Sequence, residues 1–433
     1  MAYIDSLQEY LDFYEKNGYL QGNLLVLDKG EPVIQKSYGL ASLEYGIENS
    51  SKTKFMIGSL TKSFTSMLIF ILQEQELLQI NEPIQKYLKD FPDSSEITIY
   101  HCLTCTTGIP DFTASDDFWE KEMRLPQTLD EMIDGFKDKE RLFESGAQYS
   151  YSSSDYLILT KIIELVTGVS YEAALRQYIL EPLGMKDTGC LNEQRVVGDL
   201  ADSYSYWEKE IKTAKTNLSF PLGAYGMYST LHDLQLWSQA TQENQLITED
   251  SSSKLFEPFR DTYACGWDIG QLMGQYCRQH MGVIDGFFSS IRQFPEKDFT
   301  VIFLSNQAVI PVTTITKQIA EIRFGKKYTA PIEEQLDLSE ELQAELVGKY
   351  VSDNTDISFE LTSTNDHLYI QIPKKYDVLY KFELVLLKSA SGFTFLRAVK
   401  IDETLRITKD ALIYKDVNGV LSQFRKTEDI PNL

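Results

Sequence analysis

The chain has 433 residues, 43% of them hydrophobic, with 24 Gly and 13 Pro, which excludes low-complexity, collagen-like and disordered classes. Its 41 Lys and Arg against 64 Asp and Glu leave a net charge of −23. Such a field repels phosphate backbones, and with no basic stripe to offset it, nucleic acid is not an expected partner. The length allows two to four domains, or one large α/β body with a small appendage.

Leu7, Tyr10, Leu11 and Tyr14 recur at i, i+3, i+4 and i+7, so the chain opens on an amphipathic helix. Residues 23–27 and 33–38 are strand-like and flank Asp28-Lys29-Gly30-Glu31-Pro32, a hairpin signal. From Ser59 to the 240s the pattern is mostly helical, with long runs at 63–78 and 155–166. Strands return at 275–281, 287–294 and 300–305, the last two joined by Pro295-Glu296-Lys297-Asp298, and a helix is expected over 312–324. Strands at both ends around a helical insertion describe one antiparallel sheet. Periodicity is lost at 325–337, and the expected division is a body over 1–327, a linker over 328–337 and a tail over 338–433. In the tail, 338–350 reads as a short helix. Alternation follows at Ile357, Phe359, Leu361 and at Leu368, Ile370, Ile372, with a turn at Asp416-Val417-Asn418-Gly419, as in a small all-β barrel.

The opening residues have neither a basic nor an apolar leader region, and the longest apolar run, Met67-Leu68-Ile69-Phe70-Ile71-Leu72, is too short to span a bilayer. Five cysteines are an odd, sparse set, so a reducing compartment and a cytoplasmic location are expected. None of the four histidines lies in H-E-x-x-H, and no phosphate-binding glycine motif or G-x-S-x-G elbow occurs. His101 and Cys102-x-x-Cys105 offer fewer than the four ligands of a structural zinc site. They read as buried helix-face cysteines, with metal or redox use as the alternative. No metal or other cofactor is expected.

S-x-x-K occurs three times, at Ser51, Ser59 and Ser251. Only Ser59-Leu60-Thr61-Lys62 sits between a short apolar stretch and a long apolar helical run. A serine in the first turn of a buried helix lies at the positive end of the dipole, and i, i+3 spacing puts Lys62 on the same face. Desolvation lowers a lysine's pKa, and a neutral lysine takes a serine proton. The competing reading is a helix-capping Ser59 with a snorkelling Lys62.

Residues 55–65 (FMIGSLTKSFT) resemble the nucleophile segment of the class C β-lactamase and penicillin-binding serine hydrolase family. Residues 103–111 (LTCTTGIPD) are similar to that family's L-T-H-T-S-G-L-P, 149–156 (YSYSSSDY) to F-x-Y-S-N-x-x-Y, 181–188 to P-L-G-M-x-D-T, and 280–289 (HMGVIDGFFS) to an H-x-G…G-F-x-S strand. The resemblance covers about residues 5–325. It implies an α/β fold, an antiparallel sheet flanked by helices with a helical subdomain, and a tail like the lipocalin-like barrel often appended to the family. It further implies Ser59 as nucleophile, Lys62 as its base and Tyr151 as proton shuttle. Backbone N–H groups of Ser59 and Val283 would form an oxyanion hole, with Gly282, His280 and Ser153 along the substrate's edge.

Several positions depart from the family pattern. Ser153 stands where the family usually has Asn, and His280 where many members have Lys. Both changes disfavour β-lactams, which need an amide contact and a fixed cation. Cys105 and Tyr225 replace a common His and Gly. The implied function is an esterase or peptidase working through an acyl-enzyme on a small ester, peptide or β-lactam-like substrate. A true β-lactamase, a D-amino-acid peptidase or amidase and a catalytically silent binding or scaffold protein are the alternatives. Residues 112–146, with Asp116-Asp117-Phe118-Trp119, read as a lid; oligomeric state is left open.

Overall fold

Short turns fix the strand registers. In the computed structural model, which describes residues 2–115, 118–119, 121–192, 195–259, 263–331, 333–352, 357–374, 378–389, 391–408 and 411–428, four hairpins turn through residue pairs at positive φ. The pairs are Lys29-Gly30, Met273-Gly274, Asp285-Gly286 and Asn365-Asp366. Two-residue turns of this hand match the right-handed twist of the flanking strands. By packing, the chain divides into two compact units. One comprises Gly22–Ser203 and Ala214–Asn306; the other comprises Met1–Gln21, Tyr204–Thr213 and Gln307–Leu433.

The first unit carries a six-stranded sheet in the order Asp268–Leu272, Gln275–Ile284, Phe287–Phe294, Phe299–Ser305, Gly22–Asp28, Glu31–Tyr38. Every pair is antiparallel, and strands from both ends of the body meet where Gly22–Asp28 pairs with Phe299–Ser305. Phe299–Ser305 is buried along its whole length, as its run of apolar residues requires of a central strand. The outer strand Glu31–Tyr38 is largely exposed and carries Pro32 and Lys36, residues that discourage further pairing at an edge. The helix Leu231–Gln242 packs on the sheet: Gln293 Nε2 donates to the Ser238 hydroxyl at 2.9 Å and to its carbonyl at 3.1 Å.

Through the middle of this unit runs Thr61–Glu74, buried from Thr61 to Leu72. A helix apolar on all sides is one surrounded by protein. It ends at Glu74, where 63–78 was expected; Glu76 then takes φ +60 and the chain turns away. Ser153–Thr167 lies beside it and ends on Gly168 in the left-handed conformation.

In the second unit, eight strands from Gly348–Ser352 to Leu421–Glu428 each pair antiparallel with their sequence neighbours, and the last pairs with the first. The result is a closed up-and-down barrel, which leaves no unpaired edge. Phe359, Leu361, Leu368, Ile370, Ile372, Phe382 and Leu384 are buried in it. Ile357, expected in the same row, precedes the strand and is exposed. The expected helix over 338–350 is shorter, Glu340–Leu346, because Gly348 at φ +157 begins a strand. Within 328–337, Glu333–Leu336 is a strand paired with Leu386–Ser389. A second addition comes from far upstream: Tyr204–Trp207 and Lys209–Lys212 form a hairpin joined to the barrel strand Leu379–Ser389 at Lys381. Tyr206 stacks on Phe382 with ring centroids 5.5 Å apart. No described helix is long and apolar enough to cross a membrane.

Candidate active site

A small ribbon positions the serine. Phe55–Met56 and Gly189–Cys190 both pair with Met227–Ser229, and the Ile57 N–H donates to the Met227 carbonyl at 2.9 Å. The chain then makes a 3₁₀ turn, Gly58–Leu60, directly into the helix Thr61–Glu74. This turn lies hard against the sheet edge. A Cβ on Gly282 would stand 1.8 Å from the Ile57 oxygen, and one on Gly58, which has φ +52, would stand 2.6 Å from Val283 N. Only glycine fits at either position. The contact brings the turn carrying Ser59 alongside the backbone of Val283, and the Ser289 hydroxyl donates to the Ile57 carbonyl at 2.7 Å to hold it there.

Neither half of the competing reading of S-x-x-K holds. The helix has no side-chain cap, and Lys62 is wholly buried rather than snorkelling. Ser59 is half-buried, and Lys62 Nζ lies 3.2 Å from its Oγ, 3.3 Å from Ser153 Oγ and 2.9 Å from the Ala224 carbonyl oxygen. Burial lowers the Lys62 pKa to about 8, against the opposing pull of Asp111 first among its acidic neighbours, then Cys105 and Asp155. The two other S-x-x-K lysines are held in ion pairs: Lys54 pairs with Asp187 at 2.9 Å and Lys254 with Glu257 at 2.8 Å.

Tyr151 is brought to the same cluster, its ring centroid 4.9 Å from Lys62 Nζ. Ser153 opens the helix Ser153–Thr167, with its N–H on Asp111 Oδ1 at 3.2 Å, so its hydroxyl is presented to Lys62 from a fixed first turn. Below it Asp155 is fully buried, accepts from Thr107 Oγ1 at 2.7 Å, and burial pushes its carboxyl well above the usual range. His280 is 3% exposed; its Nδ1 is 2.7 Å from the Met281 carbonyl and its ring packs on Tyr263. Tyr263 also packs edge-on against Tyr151 and stacks on Tyr149, at 6.1 and 5.2 Å, so it joins His280 to the Tyr151 wall.

Sequence reasoning missed Tyr263, which lies in no motif and is one of 25 tyrosines. It also assigned no role to Asp111, Asp155 or the Ala224 carbonyl, although the two aspartates fall inside quoted segments. Cys102 is on the helix Ile99–Leu103, but Cys105 lies past its end at φ +52, not on the helix face expected for it. Burial pushes both thiols up, and Cys105 Sγ contacts the Ser152 carbonyl oxygen at 3.7 Å. Among the described residues no group of three or more His, Cys, Asp or Glu is placed to hold a metal ion.

Within 112–146 the described residues include a packed apolar layer. Phe112, Phe118, Met123, Leu129, Met132, Ile133 and Phe136 are buried, and the layer's end is tied back by Leu142 and Gly146 N–H bonds to the Gly108 and Thr106 carbonyls, both 2.8 Å. Asp116 and Asp117 lie outside the described residues. A cavity of about 600 Å³ lies among Phe91, Ile109, Phe136 and Phe143, and none of the site residues lines it.

The family model described as Beta-lactamase matches residues 7–322. A teichoic acid D-alanine hydrolase from Staphylococcus aureus is 29% identical over 255 residues, 59% of this chain and 60% of that protein. The chain thus spans about 60% of the length of the curated relatives it matches. The solved octameric penicillin-binding protein homologue from Pyrococcus abyssi is similar over 97% of this chain and 99% of that one, with TM-score 0.68 and 22% identity. A D-amino acid amidase from Ochrobactrum anthropi SV3 is similar over 75% and 99%, with TM-score 0.63 and 20% identity. These last two likenesses are of fold.

Proposed function

Because this chain belongs to the Beta-lactamase family, we propose that it is a serine hydrolase forming an acyl-enzyme at Ser59, acting as an esterase or peptidase. The observation that carries the reading is the three-partner environment of Lys62 Nζ. A neutral amine has two N–H donors and one lone pair. Donating to the Ala224 carbonyl and to Ser153 Oγ leaves the lone pair for the Ser59 hydroxyl proton, which is the arrangement a general base needs.

In the proposed reaction Lys62 takes the Ser59 proton as Oγ adds to the substrate carbonyl. The developing oxyanion is received by the N–H groups of Ser59 and Val283, neighbours through the Gly58 contact. Collapse breaks the bond to the leaving group, which takes a proton through Tyr151, and the acyl group remains on Ser59. Water, deprotonated by the same groups, then releases the acid and restores the serine. His280 and Tyr263 act in this scheme as support for Tyr151.

Among substrates, we propose esters ahead of β-lactams. An alkoxide or phenolate leaves with little help, whereas an amide nitrogen must be protonated as it departs. The Ser153 hydroxyl, already engaged by Lys62, is also too short to replace the carboxamide that would contact an acylamido side chain. The expected kcat/KM for short-chain p-nitrophenyl esters is at least about 10²-fold above that for a cephalosporin, roughly 2.7 kcal/mol of transition-state stabilisation. Steady-state kinetics on both substrates check this, with Ser153→Asn narrowing the gap. Cephalosporin turnover at or above the ester rate would put the β-lactamase reading first. Peptidase or amidase action on D-amino-acid units is the second reading, supported by the names of the Staphylococcus aureus relative and of the Ochrobactrum anthropi amidase.

A further inference from the structure

The proposed oxyanion donor Val283 stands one residue before the closing pair of a tight turn. Ile284 and Phe287 close the Asp285-Gly286 hairpin, and Val283 lies opposite Phe288. Antiparallel partners alternate between pairs that exchange hydrogen bonds and pairs that do not, and the pair closing a two-residue turn is of the first kind. The Val283 N–H therefore faces away from Phe287–Phe294, along the edge that Asp268–Leu272 covers only as far as Gln279. Its direction is set by the turn, and the turn depends on Asp285, a non-glycine residue held at φ +47.

Asp285 is in turn held from a distant part of the chain. Its Oδ2 accepts the Thr216 N–H at 2.9 Å and its Oδ1 the Thr216 hydroxyl at 2.7 Å, across 69 positions of sequence. Thr216 is buried, so water competes little for these bonds. The same stretch then ties to two more parts of the site. The Asn217 N–H donates to the Met123 carbonyl at 2.6 Å, and the Ser219 hydroxyl donates to the Gln127 carbonyl at 2.8 Å and accepts the Gln127 N–H at 3.0 Å. Further along lies Ala224, whose carbonyl holds Lys62 Nζ at 2.9 Å. Residues 216–224 thus join the oxyanion turn, the apolar layer within 112–146 and Lys62.

We infer that Asp285 is a positioning residue for the oxyanion hole: its two-bond clamp on Thr216 holds the turn that aims the Val283 N–H at the substrate oxygen, in register with the base held by Ala224. The inference rests on the acyl-enzyme reading above and adds to it a residue that takes no part in the proton and bond transfers. An oxyanion donor acts only within hydrogen-bond reach of the developing charge, so a turn free to shift loses transition-state stabilisation while nucleophile and base stay intact. The clamp also dictates which substitute works. An Asn carboxamide still accepts the Thr216 N–H through its oxygen and donates an N–H to the Thr216 hydroxyl, whereas Ala does neither.

The test is hydrolysis of p-nitrophenyl acetate by the full chain, with inhibition by phenylboronic acid as a second readout, because a boronate on Ser59 is tetrahedral and puts an oxygen where the oxyanion forms. Rates are taken per competent site, counted by fluorophosphonate labelling carried to completion. Asp285→Ala is expected to lower kcat/KM by about tenfold or more and to weaken phenylboronic acid by a similar factor, with Asp285→Asn restoring most of both. Thr216→Val removes one of the two bonds and should lower both readouts, and adding it to Asp285→Ala should cost nothing further, since the clamp is already gone. Asp285→Ala within about twofold of wild type, an Asp285→Asn loss as large as that of alanine, or a slower rate with unchanged boronate inhibition overturns the inference and leaves the acyl-enzyme reading standing. If Asp285→Ala does not fold, Thr216→Val decides: reduced rate and boronate affinity support the inference, and wild-type values overturn it. A wild type that leaves the ester intact fails the acyl-enzyme reading, and the inference falls with it.

Discussion

Alanine in place of Ser59 is expected to lower ester turnover by about 10⁴-fold or more while the chain stays folded. The scale follows from the chemistry: without Oγ there is no acyl-enzyme, and only oxyanion stabilisation of direct water attack remains. The fold should tolerate the change. Ser59 is half-buried in a 3₁₀ turn, and its hydroxyl supplies no helix cap; its partner Lys62 keeps both Ser153 and the Ala224 carbonyl. Turnover of p-nitrophenyl acetate, alongside circular dichroism and the unfolding midpoint, checks it. A well-folded Ser59→Ala protein with more than a tenth of wild-type activity would remove Ser59 from the mechanism.

The second large effect concerns Lys62 and pH. Lys62→Ala and Tyr151→Phe are each expected to cost about 10²-fold or more in ester kcat/KM, the scale of a lost general base or acid. The sign of the pH dependence follows from the Lys62 pKa of about 8, depressed by burial. The reactive form is the neutral amine, so kcat/KM rises with pH and levels off above about 8. Linkage gives a second sign. The unfolded chain keeps the lysine proton up to its ordinary pKa of roughly 10.4, while the folded chain releases it near 8. Between those values the unfolded state binds more protons, so this residue's contribution to stability rises with pH across that window. Rate profiles from pH 6 to 9, and unfolding midpoints of wild type against Lys62→Met from pH 8 to 10, read the two signs separately. A flat rate profile through pH 8, or one that falls, contradicts the assigned role.

Much of the architecture was legible in the chain because its signals are local. Met67 to Leu72 lies inside the longer run 63–78, whose length favours a buried helix over a strand, and the Lys29-Gly30 turn sets the register of its own hairpin. Alternation in 359–372 placed the barrel's inward row, apart from Ile357. What escaped depends on partners distant in sequence. Tyr204–Lys212 meets its partner Leu379–Ser389 more than 160 residues later, and nothing local in the chain announces that pairing. Glu333–Leu336 has no apolar face worth reading, yet it pairs with the far end of that same strand.

The site divides in the same way. Ser59 and Lys62 are readable as a pair because i, i+3 spacing on a helix is a contact in itself. The rest is assembled by tertiary contacts: Ser153 reaches Lys62 across 91 positions and the Ala224 carbonyl across 162. Tyr263 joins Tyr151 to His280 from outside every motif. Such groups have no periodicity to announce them, and only their packing identifies them.

The central claim, that Ser59 is an activated nucleophile, is tested most directly by the site of covalent labelling. The full chain is treated with a fluorophosphonate, digested and mapped by mass spectrometry. The account predicts one adduct per chain, on Ser59, formed faster as pH rises towards 8 and absent from Ser59→Ala. An adduct on Ser51 or Ser251, or labelling that persists unchanged in Ser59→Ala, would contradict it.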